Sequence, residues 1–105
     1  MTDTVIKQIT ETYTKDDSGV PLKTEAAAEV FAQKKSVTRS EFFDGGRNGL
    51  NPEYEFDVFR GDYDGQRTIE YEGKRYGVYR TYEPDDSDYI ELYVERKGGT
   101  NGNRN

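Results

Sequence analysis

The sequence predicts a small, mainly β domain: a closed or partly closed β-barrel or sandwich of five to seven short strands, with one short helix inserted before the middle strand. At 105 residues the chain has room for one domain. Apolar and polar residues alternate in several runs with strand period, and turn residues separate the runs. Only 31% of the residues are hydrophobic, but nine Tyr and five Phe supply rings from which a thin core can be built.

The N-terminal part predicts two strands joined by a turn. Thr4–Thr14 reads as the first strand, with inward positions expected at Val5, Ile9 and Tyr13. Residues 15–19 (KDDSG) form the turn. The Ala-rich run at 26–29 favours helix, but the alternation that follows it predicts a strand from about Ala28 to Lys35. A closed sheet would leave none of these strands with an unpaired edge.

A helix is predicted next, starting at a capping box. In Thr38-Arg39-Ser40-Glu41 the Thr hydroxyl can accept from the Glu41 amide while the Glu side chain reaches back. Phe42 and Phe43 give this helix an apolar side, and Gly45-Gly46 is expected to end it. Residues 47–52 form a Gly- and Asn-containing loop.

The C-terminal half has the clearest strand pattern. Its turns are expected at 61–65, at Glu72-Gly73 and at 84–88. The inward-facing positions of its strands are expected at Tyr54, Phe56, Val58, Ile69, Tyr71, Tyr76, Val78, Tyr82, Ile90, Leu92 and Val94. We therefore expect one domain over residues 1–97 and a flexible, Gly- and Asn-rich tail over 98–105.

The composition argues against most catalytic chemistry. Without Cys or His, the chain lacks thiol nucleophiles, disulfides, most zinc sites and the usual acid–base group at neutral pH. The pair Glu53 and Glu55 and the acidic turns at 62–70 and 85–88 are better explained as solvated carboxylates than as a glycosidase pair or calcium loops. We expect no enzyme activity, no metal and no cofactor. Without a signal peptide or a long apolar run, we also expect a cytoplasmic protein without membrane contact.

The net charge of −6 lies entirely within residues 41–72, which hold nine acids and three bases. This argues against gripping nucleic-acid phosphates, for which a Lys/Arg surface is needed. The tyrosines could stack bases, but the nearby basic residues Lys74, Arg75 and Arg80 alternate with acids. Three tyrosines, Tyr79, Tyr89 and Tyr93, are expected on the face opposite the core and are candidate protein-interface residues.

From Ser36 onward the chain resembles the head-closure proteins (also called head–tail joining or head–tail adaptor proteins) of tailed bacteriophages and prophages. The resemblance lies in SVTRSEFFDGGRNGLNPEY (36–54), DYDG (62–65), IEYEGKRY (69–76), YRTY (79–82) and DYIELYVER (88–96). Nearer the N-terminus, Glu29-Val30-Phe31-Ala32 fits more loosely.

The resemblance implies a β-barrel subunit of a ring of twelve copies, made in the host cytoplasm and placed at the virion neck. Its partners would be the portal or adaptor ring on the head side and the tail-completion or tail-tube protein on the tail side. The ring would close the DNA exit after packaging, give the tail its docking platform and let DNA pass without specific binding. The channel-facing plug carried over by position is Thr38, Glu41, Phe42, Phe43, Asp44, Gly45, Gly46, Arg47, Asn48, Gly49, Leu50, Asn51 and Pro52.

We also hypothesise that part of the acidic segment lines the channel, because carboxylates there would repel DNA phosphates. These residues are Glu53, Glu55, Asp57, Asp62 and Asp64. Three alternatives remain open: a neighbouring connector (an adaptor or tail-completion protein), an acidic DNA mimic that blocks a DNA-binding enzyme, and a minor nucleic-acid binder.

Overall fold

The computed structural model describes residues 2–97, so the predicted tail at 98–105 lies outside the described residues. The elements in chain order are β1 (Thr2–Lys15), β2 (Pro21–Ser36), α1 (Arg39–Arg47), β3 (Pro52–Phe59), a 3-10 turn (Arg60–Asp62), β4 (Thr68–Tyr71), β5 (Lys74–Tyr82) and β6 (Tyr89–Arg96). The strands close into a barrel in the order β1-β2-β3-β6-β5-β4, and all neighbours are antiparallel. The predicted mainly β fold with one short helix before the middle strand is therefore confirmed. Within residues 2–97, no helix has the length and apolarity needed to span a membrane.

The core fills the barrel interior with the inward side chains of all six strands. Its aromatic part is built from Tyr54, Phe56, Tyr71 and Tyr76, whose ring centroids lie 5.3–6.4 Å apart in mostly edge-to-face pairs. The inward positions predicted for β3, β4 and β6 are confirmed: Phe56, Val58, Ile69, Tyr71, Ile90, Leu92 and Val94 are buried, and Tyr54 is half-buried against the core. Gln8 is also buried, and its Nε2 has no hydrogen-bond partner among the described residues.

The first two strands are longer than predicted, and the inward side of β1 differs. Ile6 is in the core, whereas Val5 and Tyr13 are exposed; of the three predicted positions only Ile9 is buried. The Ala-rich run lies within β2, where Ala28 pairs with Gln8 and Ala26 pairs with Thr10. Cross-strand pairing along the whole hairpin thus overrides the helical preference of this run.

Two of the predicted hairpin turns have the backbone that they require. The turn between β4 and β5 consists of Glu72 and Gly73 with φ of 51° and 78°, as a two-residue type I′ turn demands. The β1–β2 turn has Gly19 at φ 82°, and Asp16 Oδ1 accepts from the amides of Ser18 and Val20 at 2.9 and 2.8 Å.

One inward prediction on β5 is wrong. Tyr76 and Val78 are buried as expected, but Tyr82 is exposed. The pairing between β5 and β6 shifts between Val78 and Arg80, so that Tyr79 is an extra residue on β5. Because side chains alternate along a strand, this bulge reverses the face of every later residue, Tyr82 included.

Candidate functional site

The helical excursion between β2 and β3 is the main departure from a plain barrel. Thr38 caps α1: its Oγ1 accepts from the Glu41 amide at 3.1 Å, as the capping box predicts. The helix continues through Gly45-Gly46, which were expected to end it. It ends instead at Asn48 and Gly49, where Gly49 has φ 79° and the Asn48 amide donates to the Gly45 carbonyl at 3.0 Å.

Glu41 connects the helix to the barrel instead of closing the capping box. Its carboxylate accepts from the Tyr79 hydroxyl at 2.6 Å and from Arg80 Nη2 at 2.5 Å. Burial alone would raise the pKa of Glu41, but the bonds from Arg80 and Tyr79 outweigh it and hold this pKa below its usual value. Arg80 also stacks over the Tyr93 ring, 4.0 Å from its centroid. We call Glu41, Tyr79 and Arg80 the latch.

The β5 bulge is what makes the latch possible. Tyr79 and Arg80 are consecutive, and in a regular strand consecutive side chains point to opposite faces. The extra residue lets both side chains reach Glu41 on the outer surface of the barrel. Bulges commonly redirect side chains at functional positions in this way.

A second contact between helix and barrel depends on shape. Gly45 is the only helix residue that is buried, and it lies against Pro52 at the start of β3. A Cβ at this position would lie 2.5 Å from Pro52 Cγ, closer than any real contact. At Gly46, one residue further, a Cβ would meet nothing within 4 Å. Glycine is therefore required at 45 and not at 46.

The rest of the predicted plug segment is largely exposed. Phe42 and Phe43 are 51% and 58% exposed and pack edge to face at 5.8 Å. They do not give the helix a buried apolar side. In the segment from Thr38 to Pro52, Gly45 and Pro52 are buried and Glu41 and Leu50 half-buried; the exposed predicted residues are Thr38, Phe42, Phe43, Asp44, Gly46, Arg47, Asn48, Gly49 and Asn51.

The five predicted channel-wall acids do not form one solvent-facing surface. Glu53, Asp62 and Asp64 are exposed, but Glu55 and Asp57 are buried. Glu55 and Asp57 point away from the core, as the alternation requires, whereas Glu53 is an extra residue where the register between β3 and β6 shifts. Glu55 and Asp57 are nevertheless covered by neighbouring side chains, Lys35 among them, so only three of the five acids are exposed, and the channel wall stays a prediction.

Instead, Glu55 and Asp57 form a carboxylate cluster with Glu91. The sequence analysis missed this cluster because Glu91 lies on β6, where it pairs with Asp57 across the ladder. Lys35 Nζ lies 2.7 Å from Asp57 Oδ2 and 3.7 Å from Glu55 Oε2. Burial, followed by a hydrogen bond from protonated Glu55 to Asp57 and by the negative charges of Asp57 and Glu91, raises the pKa of Glu55 to about 7, and Lys35 only partly opposes this.

The three candidate interface tyrosines have different environments. Tyr79 and Tyr93 are half-buried, and their hydroxyls donate to Glu41 and to Glu91 at 2.6 and 2.5 Å. Burial, supported by these hydrogen bonds, raises the pKa of both hydroxyls. Tyr89 is exposed and packs edge to face on Phe59, with 6.5 Å between ring centroids.

Tyr89 belongs to a row of exposed apolar side chains across the outer face. Tyr89 pairs with Phe59 on β3, and Val5 pairs with Phe31 on β2. Phe31 and Phe59 directly adjoin the paired residues Ala32 and Val58, so the row is continuous over four strands. Phe31 is 83% exposed. We call Val5, Phe31, Phe59 and Tyr89 the apolar row.

The hairpin of β1 and β2 extends beyond the barrel. All residues from 10 to 29 are exposed, while their pairing continues to Lys15 and Pro21. We call residues 10–29 the arm. Arg75 of β5 fixes its position, donating two hydrogen bonds of 3.0 Å to the Glu25 carboxylate.

No protein-family model matches the chain, and no curated protein matches it either.

Proposed function

We propose that this protein is a structural head-closure protein of a tailed phage or prophage, one subunit of a ring beneath the portal or adaptor. The observation that carries the proposal is the single helical excursion, Thr38 to Pro52, between the second and third strands of a small closed barrel. The resemblance expects its plug segment at this position.

The contacts of the excursion support a segment that moves. The helix is held by the latch and by the fit of Gly45 on Pro52, while its two phenylalanines are exposed. Few buried apolar contacts mean a low local stability, so undocking the helix leaves the barrel core intact. The helix as described is folded back on its own barrel; the closed form of the channel would have it released across the axis.

The outer surface supports assembly into a ring. The apolar row offers three exposed aromatic side chains and one valine on four neighbouring strands, and aromatic side chains are enriched at the centres of protein interfaces. The arm extends beyond its own barrel, which suits contact with an adjacent copy. We assign the apolar row to contact between copies in the ring, and the remaining exposed acids Glu53, Asp62 and Asp64 to the surface that DNA passes without binding.

The decisive experiment deletes the gene from the phage or prophage that carries it and images the lysate. We expect heads that are empty or leak DNA, beside complete free tails, and purified protein should restore joining in vitro. As a matched pair, Phe31→Ser should abolish the rescue, whereas Tyr82→Ser, an exposed aromatic outside both the apolar row and the arm, should rescue normally. Normal infectious particles from the deletion would contradict the proposal.

A further inference from the structure

The carboxylate cluster on the outer face has a geometry that the proposed function does not use. Glu55 and Asp57 lie two residues apart on β3, and Glu91 lies opposite Asp57 on β6. Each can present one oxygen so that the three oxygens are within 4.8 Å of one another. Oxygens bound to one Ca²⁺ lie about 2.3–2.6 Å from the ion, and therefore at most about 5 Å from each other.

Asp57 supplies an independent observation. This residue is 5% exposed, and when Glu55 is ionised the buried Oδ1 of Asp57 has no hydrogen-bond partner among residues 2–97. Lys35 occupies only the other oxygen, Oδ2. An unpartnered buried carboxylate oxygen is costly, and a cation is the partner that removes most of that cost.

The surroundings of the three carboxylates also suit a bound ion. The Tyr93 hydroxyl donates to Glu91 Oε1 at 2.5 Å, which orients this carboxylate from behind. Asp57 borders an open cavity of about 340 Å³ that is also lined by Asp3, Gln33 and Tyr89. Water molecules in this cavity can complete the coordination of an ion on the Asp57 side.

We propose that Glu55, Asp57 and Glu91 bind one hard divalent cation, Ca²⁺ in the first place, which joins β3 to β6 on the outer face of the barrel. Three carboxylates against one ammonium leave the cluster with a net charge of −2 when all are ionised, which one divalent ion neutralises. Lys35 competes with the ion for the same oxygens. The site does not depend on the proposed phage function, and purified protein suffices to test it.

The test is thermal unfolding of the full chain at mildly alkaline pH with chelator, with Ca²⁺ or with Mg²⁺. At ten times the dissociation constant of Ca²⁺, linkage predicts a rise in Tm of about 6–11 °C. Lys35→Met should give the same rise in Tm as wild type at a Ca²⁺ concentration that is lower by up to about tenfold, because a charge that competes with the ion is removed. Asp57→Asn should lose the response, whereas the exposed control Asp62→Asn should keep it.

A second readout does not depend on the variants folding well. Tb³⁺ bound at the site lies near Tyr93, so excitation of tyrosine should give Tb³⁺ luminescence that Ca²⁺ displaces in the wild-type protein. The proposal is overturned if wild-type protein shows neither a Ca²⁺-dependent Tm nor displaceable luminescence. It is equally overturned if folded Asp57→Asn protein responds to Ca²⁺ as wild type does.

Discussion

The adjacent glycines of α1 should respond in opposite directions to the same substitution. Both lie inside the helix, where alanine is favoured over glycine by about 0.5–1 kcal/mol because it loses less backbone entropy. Only Gly45 faces the barrel. We therefore expect Gly46→Ala to raise the free energy of unfolding by about 0.5–1 kcal/mol and Gly45→Ala to lower it.

The size of the loss at Gly45 follows from the contact with Pro52. A Cβ there would lie 2.5 Å from Pro52 Cγ and 3.1 Å from Cδ, against about 3.5–4.0 Å for an unstrained carbon pair. The proline ring is rigid and buried, so the helix must move instead. Overpacking of this kind costs about 1–3 kcal/mol, and because the gain in helix propensity is common to both variants, they should differ in unfolding free energy by about 1–3 kcal/mol.

Urea unfolding followed by tyrosine fluorescence measures both variants against wild type. Hydrogen exchange of residues 39–47 then shows whether the loss at Gly45 is local to the helix. If Gly45→Ala is as stable as Gly46→Ala, and its helix amides exchange no faster, the helix is not docked on β3 as described. The proposed movement of the excursion would then lack its structural basis.

Three further predictions test the latch, the cluster and the core. Glu41→Gln should raise amide exchange in α1 by about 5–30-fold, corresponding to about 1–2 kcal/mol for the lost charge-assisted bonds, whereas Asp44→Asn on the same helix should change it little; equal exchange in both variants would contradict the latch. The pKa of Glu55 is raised from 4.5 to about 7, so its stabilising contribution is complete below pH 4.5 and is lost as pH rises through about 7. In chelator, unfolding free energy should fall by at most about 3 kcal/mol across that window, and Glu55→Gln should flatten the curve; identical pH curves would refute the raised pKa. Gln8→Met should stabilise the protein by about 1 kcal/mol in urea, since it removes a buried amide without a partner, and a destabilised variant would mean that this amide is satisfied.

The inward-facing residues of the barrel could be predicted from the sequence wherever one face of a strand is buried and the other faces solvent. Phe56 and Val58 on β3 and Leu92 and Val94 on β6 follow the alternation because they fill the core. The pattern failed in the arm, where neither face is buried and the strands are held by their mutual pairing and by the bonds from Arg75 to Glu25. Without burial there is no selection for alternation, so the sequence contains no periodic signal to read.

The candidate sites were predicted only in part, because they depend on contacts between distant strands. The helix and its Thr38 cap are local features, and the sequence located them. The cluster of Glu55, Asp57 and Glu91 requires the register between β3 and β6, which no local pattern specifies. The burial of these acids likewise depends on neighbours such as Lys35, far away in the chain.

The bulge in β5 accounts both for the wrong prediction at Tyr82 and for the formation of the latch. The extra residue at Tyr79 turned Tyr82 outward, against its predicted place in the core. The same residue lets Tyr79 and Arg80 act together on Glu41. A regular strand would have made a tighter sheet but would have offered Glu41 only one partner. The ladder between β5 and β6 therefore loses one regular pair at the point where the barrel binds α1. This is expected if holding and releasing that helix is part of the proposed function.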